Sequence, residues 1–173
     1  RQCLEGLTPV LFDEVVGALD EAPALAVIGY RNSYPIALHM RQQLLQARSG
    51  VQLLPSPNQS LAEELVELDP QALIVLIGFR RRPRLFEALI ETLAQREQRV
   101  LLIGDPTTAK YADRVTWRLE CSLETLSAFD SYASAMSLVS LLANAMLHRR
   151  LAQGRARIGE VMELYQELEE LAP

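Results

Sequence analysis

The sequence predicts an α/β fold, a five-stranded parallel sheet with helices on both faces, and three observations carry that expectation. Four short apolar runs recur, each followed by a turn residue: Leu25-Ala-Val-Ile28 before Gly29, Val51-Gln-Leu-Leu54 before Pro55, Ala72-Leu-Ile-Val-Leu-Ile77 before Gly78, and Val100-Leu-Leu-Ile103 before Gly104. Such runs suit strands covered on both faces. Helical patterns separate them, so crossovers join consecutive strands and the sheet is parallel. A fifth segment, Arg114-Val-Thr-Trp-Arg-Leu119, alternates polar and apolar residues as a strand at a sheet edge does.

The helices carry their own signals. Pro9 to Leu19 turns Leu11, Val15, Val16 and Leu19 to one side. Ser60-Leu-Ala-Glu63 reads as a capping box, the serine taking the Glu63 amide and the glutamate reaching back. Pro35 and Pro83 fall where first-turn prolines belong, because a missing N–H there costs no hydrogen bond. Leu85, Leu89 and Leu93, with Ala88, form one apolar stripe. Ala128 to Leu147 is apolar on nearly every side and rich in small residues, which predicts a helix buried between layers or between subunits. Arg155 to Leu171 sets Ile158, Val161, Met162, Tyr165 and Leu168 against glutamates, and reads either as a helix packed on the domain or as a short dimerising helix.

A chain of 173 residues, 49% hydrophobic, can bury a core of its own and reads as one domain. Its net charge of −5 argues against a surface built to neutralise nucleic acid. Lys110 is the only lysine, so guanidinium groups supply nearly all positive charge. Cys3 and Cys121 lack metal-ligand spacing, which suggests a reducing compartment without structural disulfides or zinc, hence cytoplasm. The start at Arg1, without a secretory signal pattern, reads as a piece of a longer protein. Ser131, Ser134, Ser137, Ser140 and Asn144 interrupt the longest apolar stretch, so no membrane span is expected.

Gly78-Phe-Arg-Arg-Arg-Pro-Arg84 places four arginines on a strand-to-helix turn. In an open parallel sheet, ligands bind beyond the carboxyl ends of the strands, where helix N-termini offer unpaired N–H groups. The functional reading is an anion site. The structural reading is a solvated cluster that pairs with surface carboxylates.

Three segments in order, Val27-Ile-Gly-Tyr-Arg-Asn-Ser33, Ile77-Gly-Phe-Arg-Arg-Arg-Pro83 and Ala128-Phe-Asp-Ser-Tyr-Ala-Ser-Ala-Met136, resemble the two ligand loops and the start of the long final helix of a known family. That family is the sugar isomerase, or SIS, domain in the C-terminal half of RpiR-type bacterial transcription regulators, and the resemblance covers essentially the whole chain. It implies a flavodoxin-like or Rossmann-like three-layer sandwich, a homodimer or higher homo-oligomer, and a phosphorylated sugar or similar anionic carbohydrate as effector. It also implies an N-terminal helix-turn-helix domain, missing from this chain, as the only route to DNA. Residues 1–8 would then end the interdomain linker, and residues 9–173 would form the effector-binding and oligomerisation domain.

In the family's common form, hydroxyls and loop amides hold the phosphate. Here only Ser33 remains, the second loop has no hydroxyl, and Arg31 stands where glycine is usual. The sequence is similar to a branch carrying arginine and aromatic residues at these loops, with Arg80 matching that branch's Phe-Arg pair. The resemblance therefore puts the effector site at Arg31, Asn32, Ser33, Phe79, Arg80, Arg82 and Glu124, guanidinium forks replacing hydroxyls. Each has a structural alternative: a helix cap for Asn32 and Ser33, a core plug for Phe79, solvent for Arg82, and a charge at the start of the long helix for Glu124. Arg81 and Arg84 are weaker candidates than Arg80. Thr107 and Thr108 are expected to cap the turn after Gly104, and Glu120 and Ser122 are further candidates for sugar hydroxyls.

Aldose–ketose isomerisation needs a positioned base and often a histidine to open the ring. His39 and His148 both lie inside helical patterns, and no nucleophile–base pair, metal cluster or Walker-type loop offers another chemistry. The expectation is a regulator's effector domain with no enzymatic activity, no cofactor and no metal. A degenerate domain that only dimerises is the alternative, and a sugar-phosphate isomerase stands third.

Overall fold

Every residue of β1 (Leu25–Gly29) and β3 (Leu73–Gly78) is buried, as strands covered on both faces must be. In the computed structural model, which describes residues 6–124 and 129–170, they form one parallel sheet with β2 (Val51–Leu54), β4 (Arg99–Gly104) and β5 (Trp117–Glu120). The order is β2-β1-β3-β4-β5. Register aligns Gly29 with Ile77 and Gly78 with Gly104, so the loops after β1, β3 and β4 leave the sheet at one level.

Alternate strand residues feed two cores. Leu25, Val27, Val75, Ile77 and Leu101 pack under α1 (Pro9–Glu21), α2 (Tyr34–Ala47) and α5 (Ala133–Arg149). Ala26, Ile28, Ile74, Leu76 and Leu102 pack under α4 (Leu85–Gln95) and Tyr111 of the 3-10 segment Pro106–Arg114, with α3 (Leu61–Val66) against the margin. Burying one such side chain is worth roughly 1.5–3 kcal/mol. The last helix, α6 (Leu151–Glu167), lies against α2, where Arg157 donates to the Leu45 carbonyl at 2.6 Å.

Several expectations change. The apolar stripe of α4 is Phe86, Leu89, Ile90 and Leu93, and Leu85 is 43% exposed. The chain turns before the helix, with the Phe86 amide on the Pro83 carbonyl, so Pro83 precedes the helix and Phe86 swings inward. Ser60 makes no side-chain cap; Glu64 instead accepts the Ser56 amide at 2.9 and 3.1 Å. The long helix starts at Ala133, and it has an open side at Ser137, Leu141, Asn144 and His148. Residues 125–128 lie outside the described residues, as do residues 1–5 of the expected linker and 171–173 at the end of the final helical pattern. On α6, Ile158, Val161 and Tyr165 are half-buried, whereas Met162 and Leu168 are exposed. Cys121 is buried and disulfide-bonded, against the expectation of a chain without disulfides: spacing along the sequence does not report which thiols meet in the fold, and Cys3 lies outside the described residues. Among the described residues no helix is long and apolar enough to cross a membrane.

One buried arginine ties the first helix to the sheet. Arg48, 6% exposed, donates to the carbonyls of Leu19 and Ala22 at 2.7 Å, Asp20 at 3.2 Å, Pro23 at 3.4 Å and Ser49 at 3.0 Å. These include the carbonyls that the end of α1 leaves without helical partners. Burial and the Arg150 charge lower its pKa, with Asp20 opposing, but a guanidinium remains charged. Arg48→Leu should therefore cost about 3 kcal/mol in urea unfolding, because several buried acceptors lose a charged donor, and Arg48→Lys should recover only part of it.

Candidate functional site

β1 and β3 are neighbours in the sheet while the chain runs from β1 outward to β2 and then back past β1 to β3. The crevice beyond their carboxyl ends is thus the topological switch point, where open α/β sheets bind ligands. β1 must end in glycine: a Cβ at Gly29 would lie 2.7 Å from both the Ala37 Cβ and the Ser33 carbonyl oxygen. The chain then turns through a 3-10 segment, Arg31–Ser33, that delivers Ser33 into the interior. Its hydroxyl caps no helix. It accepts the Phe79 amide at 3.1 Å, bonding the loop after β1 to the loop after β3.

Asp105, just after β4, organises the other side. One carboxylate oxygen accepts the Thr107 amide at 2.9 Å and the Thr107 hydroxyl, while the other accepts the Arg80 amide and Arg82 Nη1, the latter at 3.3 Å. Arg82 also donates to the Gly78 carbonyl at 2.7 Å and the Thr107 hydroxyl at 2.6 Å, and its guanidinium lies 5.5 Å from the Phe86 ring centre. Burial pushes the Asp105 carboxyl up, but the Thr107 and Arg80 hydrogen bonds and the Arg82 charge outweigh it and hold its pKa below the usual carboxylate range. Arg82, expected in the ligand site or solvent, is consumed as a bridge between the β3 and β4 loops.

Arg80 points differently. Its Nε donates to one Asp130 carboxylate oxygen at 3.1 Å and its Nη2 to the other, a bidentate pair across the mouth of the crevice. Asp130 precedes α5, so this pair connects the β3 loop to the final helical layer. Phe79, 1% exposed, meets the Tyr132 ring edge-on at 5.6 Å between centroids. It occupies the core and presents no face to a sugar. The Tyr132 hydroxyl is buried without a hydrogen-bond partner.

Arg31 and Asn32 are exposed, and their side chains make no hydrogen bond or ion pair among the described residues. Arg31 has φ 54° and Arg81 φ 66°, left-handed conformations that cost a non-glycine residue about 1–2 kcal/mol. Such strain tends to collect at ligand sites. Glu124 is exposed and nine positions ahead of α5, too far to act on that helix's first turn; its amide donates to the Ser122 hydroxyl at 3.2 Å. Glu120 pairs with Arg118 at 2.8 Å. The structure therefore brings Ser33, Phe79, Arg80 and Arg82 together and leaves Arg31, Asn32 and Glu124 on the surface. Sequence reasoning missed Asp105, Asp130 and Tyr132. Asp105 was signalled by its place directly after a strand-ending glycine, as in the other two loops. A groove of about 640 Å³ lies elsewhere, along the outer edge of β2 between α2 and α3, and contains none of the expected site residues. Among the described residues, no group of His, Cys, Asp or Glu side chains is arranged to hold a metal ion.

Both Asp105 oxygens accept from donors, so Asp105→Asn must set an NH2 group against one of them. It should destabilise the fold by about 2 kcal/mol in chemical denaturation. Because the folded pKa is depressed, this carboxylate stabilises fully above the unfolded value of about 4 and loses its contribution as pH falls through the folded value. The acid limb of the stability profile should accordingly be shallower in the variant. Tyr132→Phe removes a hydroxyl that has no partner, and its melting temperature should equal or exceed the parent's.

Residues 18–145 match the SIS domain family. Comparison with curated proteins gave no match. Among solved structures, the RpiR transcription factor of Sphaerobacter thermophilus (sugar isomerase domain) is 20% identical, with a TM-score of 0.84 over 94% of this chain and 90% of that one. Vibrio vulnificus NanR, complexed with ManNAc-6P, is 16% identical with a TM-score of 0.79; the match covers 99% of this chain but 65% of NanR. Escherichia coli CFT073 c3406, in complex with a phosphosugar, is 13% identical with a TM-score of 0.75 over 93% and 90% of the two chains. Structures described as sugar-phosphate isomerases share the fold as well. With well over half its length inside the family match and a five-stranded parallel sheet whose switch point carries the Ser33 and Arg80 loops, the chain belongs to the SIS domain family.

Proposed function

We propose that this chain is the effector-binding and oligomerisation domain of a cytoplasmic, RpiR-type transcription regulator, sensing a phosphorylated sugar or a related anionic carbohydrate in the crevice between β1 and β3. The observation that carries this reading is the Arg80 fork at the switch point, half-exposed and built for bidentate contact with an oxyanion. One neighbour in fold holds ManNAc-6P and another a second phosphosugar, which supports the ligand class. DNA would be read by a helix-turn-helix domain outside residues 9–173, and the ligand would act by favouring one arrangement of a homodimer over another. Catalysis is not part of the proposal, because His39 lies within α2 and His148 near the end of α5, far along the chain from the strand ends.

A second reading has its own observation. The Ser33 hydroxyl and the Phe79 and Arg80 amides, the groups that hold phosphate in the family's common form, are all spent on internal bonds. A domain so arranged also suits a dimerisation scaffold without a ligand.

A thermal-shift screen with sugar phosphates and sugar acids separates the two, since a ligand that binds only the folded state raises the melting temperature. Arg80→Ala should weaken the best ligand by about 1.5–3 kcal/mol in calorimetry, the range for charge-assisted hydrogen bonds. Unchanged affinity removes Arg80 from the site, and silence across the panel favours the scaffold.

A further inference from the structure

The Asp130 carboxylate occupies both donors of the Arg80 edge that an oxyanion would use. The pair sits at the mouth of the crevice, with the Arg80 side chain 46% exposed and that of Asp130 17%. The loop does not need this pair for its shape. Its main chain is fixed separately, through the Phe79 amide on Ser33 and the Arg80 amide on Asp105. The segment carrying Asp130 is likewise anchored on its own, with the Ser131 amide on the Leu123 carbonyl at 3.2 Å and the Ser134 hydroxyl on the Ser122 carbonyl at 2.8 Å. What Asp130 adds is occupancy of the fork.

Resting on the crevice reading above, we propose that Asp130 is a specificity-determining residue: its carboxylate is the resident anion of the Arg80 fork, and any ligand must displace it. A tethered carboxylate competes at an effective concentration in the millimolar range or above. A monoanionic sugar acid exchanges like for like against it and gains nothing. A phosphomonoester brings nearly two negative charges and three strong acceptor oxygens. It can take the fork and still draw on the exposed guanidiniums of Arg31 and Arg81, which have no ion pair among the described residues. Exposed ion pairs are weak, so the barrier to displacement is modest and acts on selectivity rather than closing the site. The site thereby admits phosphorylated sugars and rejects sugar acids.

The test titrates the parent domain, Asp130→Asn and Arg80→Ala with inorganic phosphate and with gluconate at pH 7.5, reading the Arg80 Nε–H and loop amides by NMR. Asp130→Asn should bind phosphate about 3–10-fold more tightly than the parent, and gluconate should gain more, so the preference for phosphate falls at least about threefold. Arg80→Ala should lose both. If Asp130→Asn matches the parent in both affinities while Arg80→Ala still loses phosphate, the crevice reading stands and the role of Asp130 is overturned. If neither substitution changes phosphate affinity, both are overturned. Asp130→Ser, with melting temperature recorded for every variant, separates a binding effect from a folding defect, and a gain confined to the asparagine variant counts against the proposal.

Discussion

The Asp105 carboxylate is the constraint on which the rest of the crevice depends. A buried charge persists only when its lone pairs are filled, and four donors from three positions fill these: the Arg80 amide, the Arg82 guanidinium, and the amide and hydroxyl of Thr107. Through them the loop after β4 dictates the loop after β3. Arg82 is pulled over Phe86 and Tyr111 and becomes a tie between strands. Arg80 has its amide held by Asp105, and its side chain is carried away from that carboxylate, toward Asp130.

That division explains how one arginine-rich turn supports two different chemistries. With the loop amides turned inward, the backbone has little left to offer an anion, and recognition passes to guanidinium side chains. The first loop shows the same exchange: Ser33 spends its hydroxyl on Phe79, and Arg31 lies in the open. Hydroxyls and amides bind phosphate with a pre-set geometry, whereas guanidiniums reach further and carry full charge, so a site of this kind selects by charge more than by shape.

The sheet was legible because burial on both faces leaves a strong local mark: unbroken apolar runs, each closed by Gly or Pro. The helix stripes were less so. α4 was offset by one position because the Pro83 turn sets its phase, and phase is a property of how the chain enters the helix. The roles of Arg80 and Arg82 were not readable at all. Two identical side chains two residues apart differ only in what meets them, and those partners lie 50, 23 and 25 residues away, at Asp130, Asp105 and Thr107. The same holds for Cys121, whose bonding is a fact of three dimensions. Local sequence carries secondary structure, but whether a charged side chain serves a ligand or the fold is decided by long-range pairing.

The backbone offers a further distinction between a ligand site and a scaffold. Arg31 and Arg81 each hold a left-handed conformation that glycine would adopt without strain, and neither side chain contributes an ion pair among the described residues. In a fold that is only marginally stable, two such costs of about 1–2 kcal/mol each are a sizeable fraction of the total. A dimerisation scaffold draws nothing from them at the strand ends. A crevice that must collect negative charge does, because both guanidiniums belong to the two loops that border the fork held by Asp130, exposed and uncompensated, where an incoming dianion would find them.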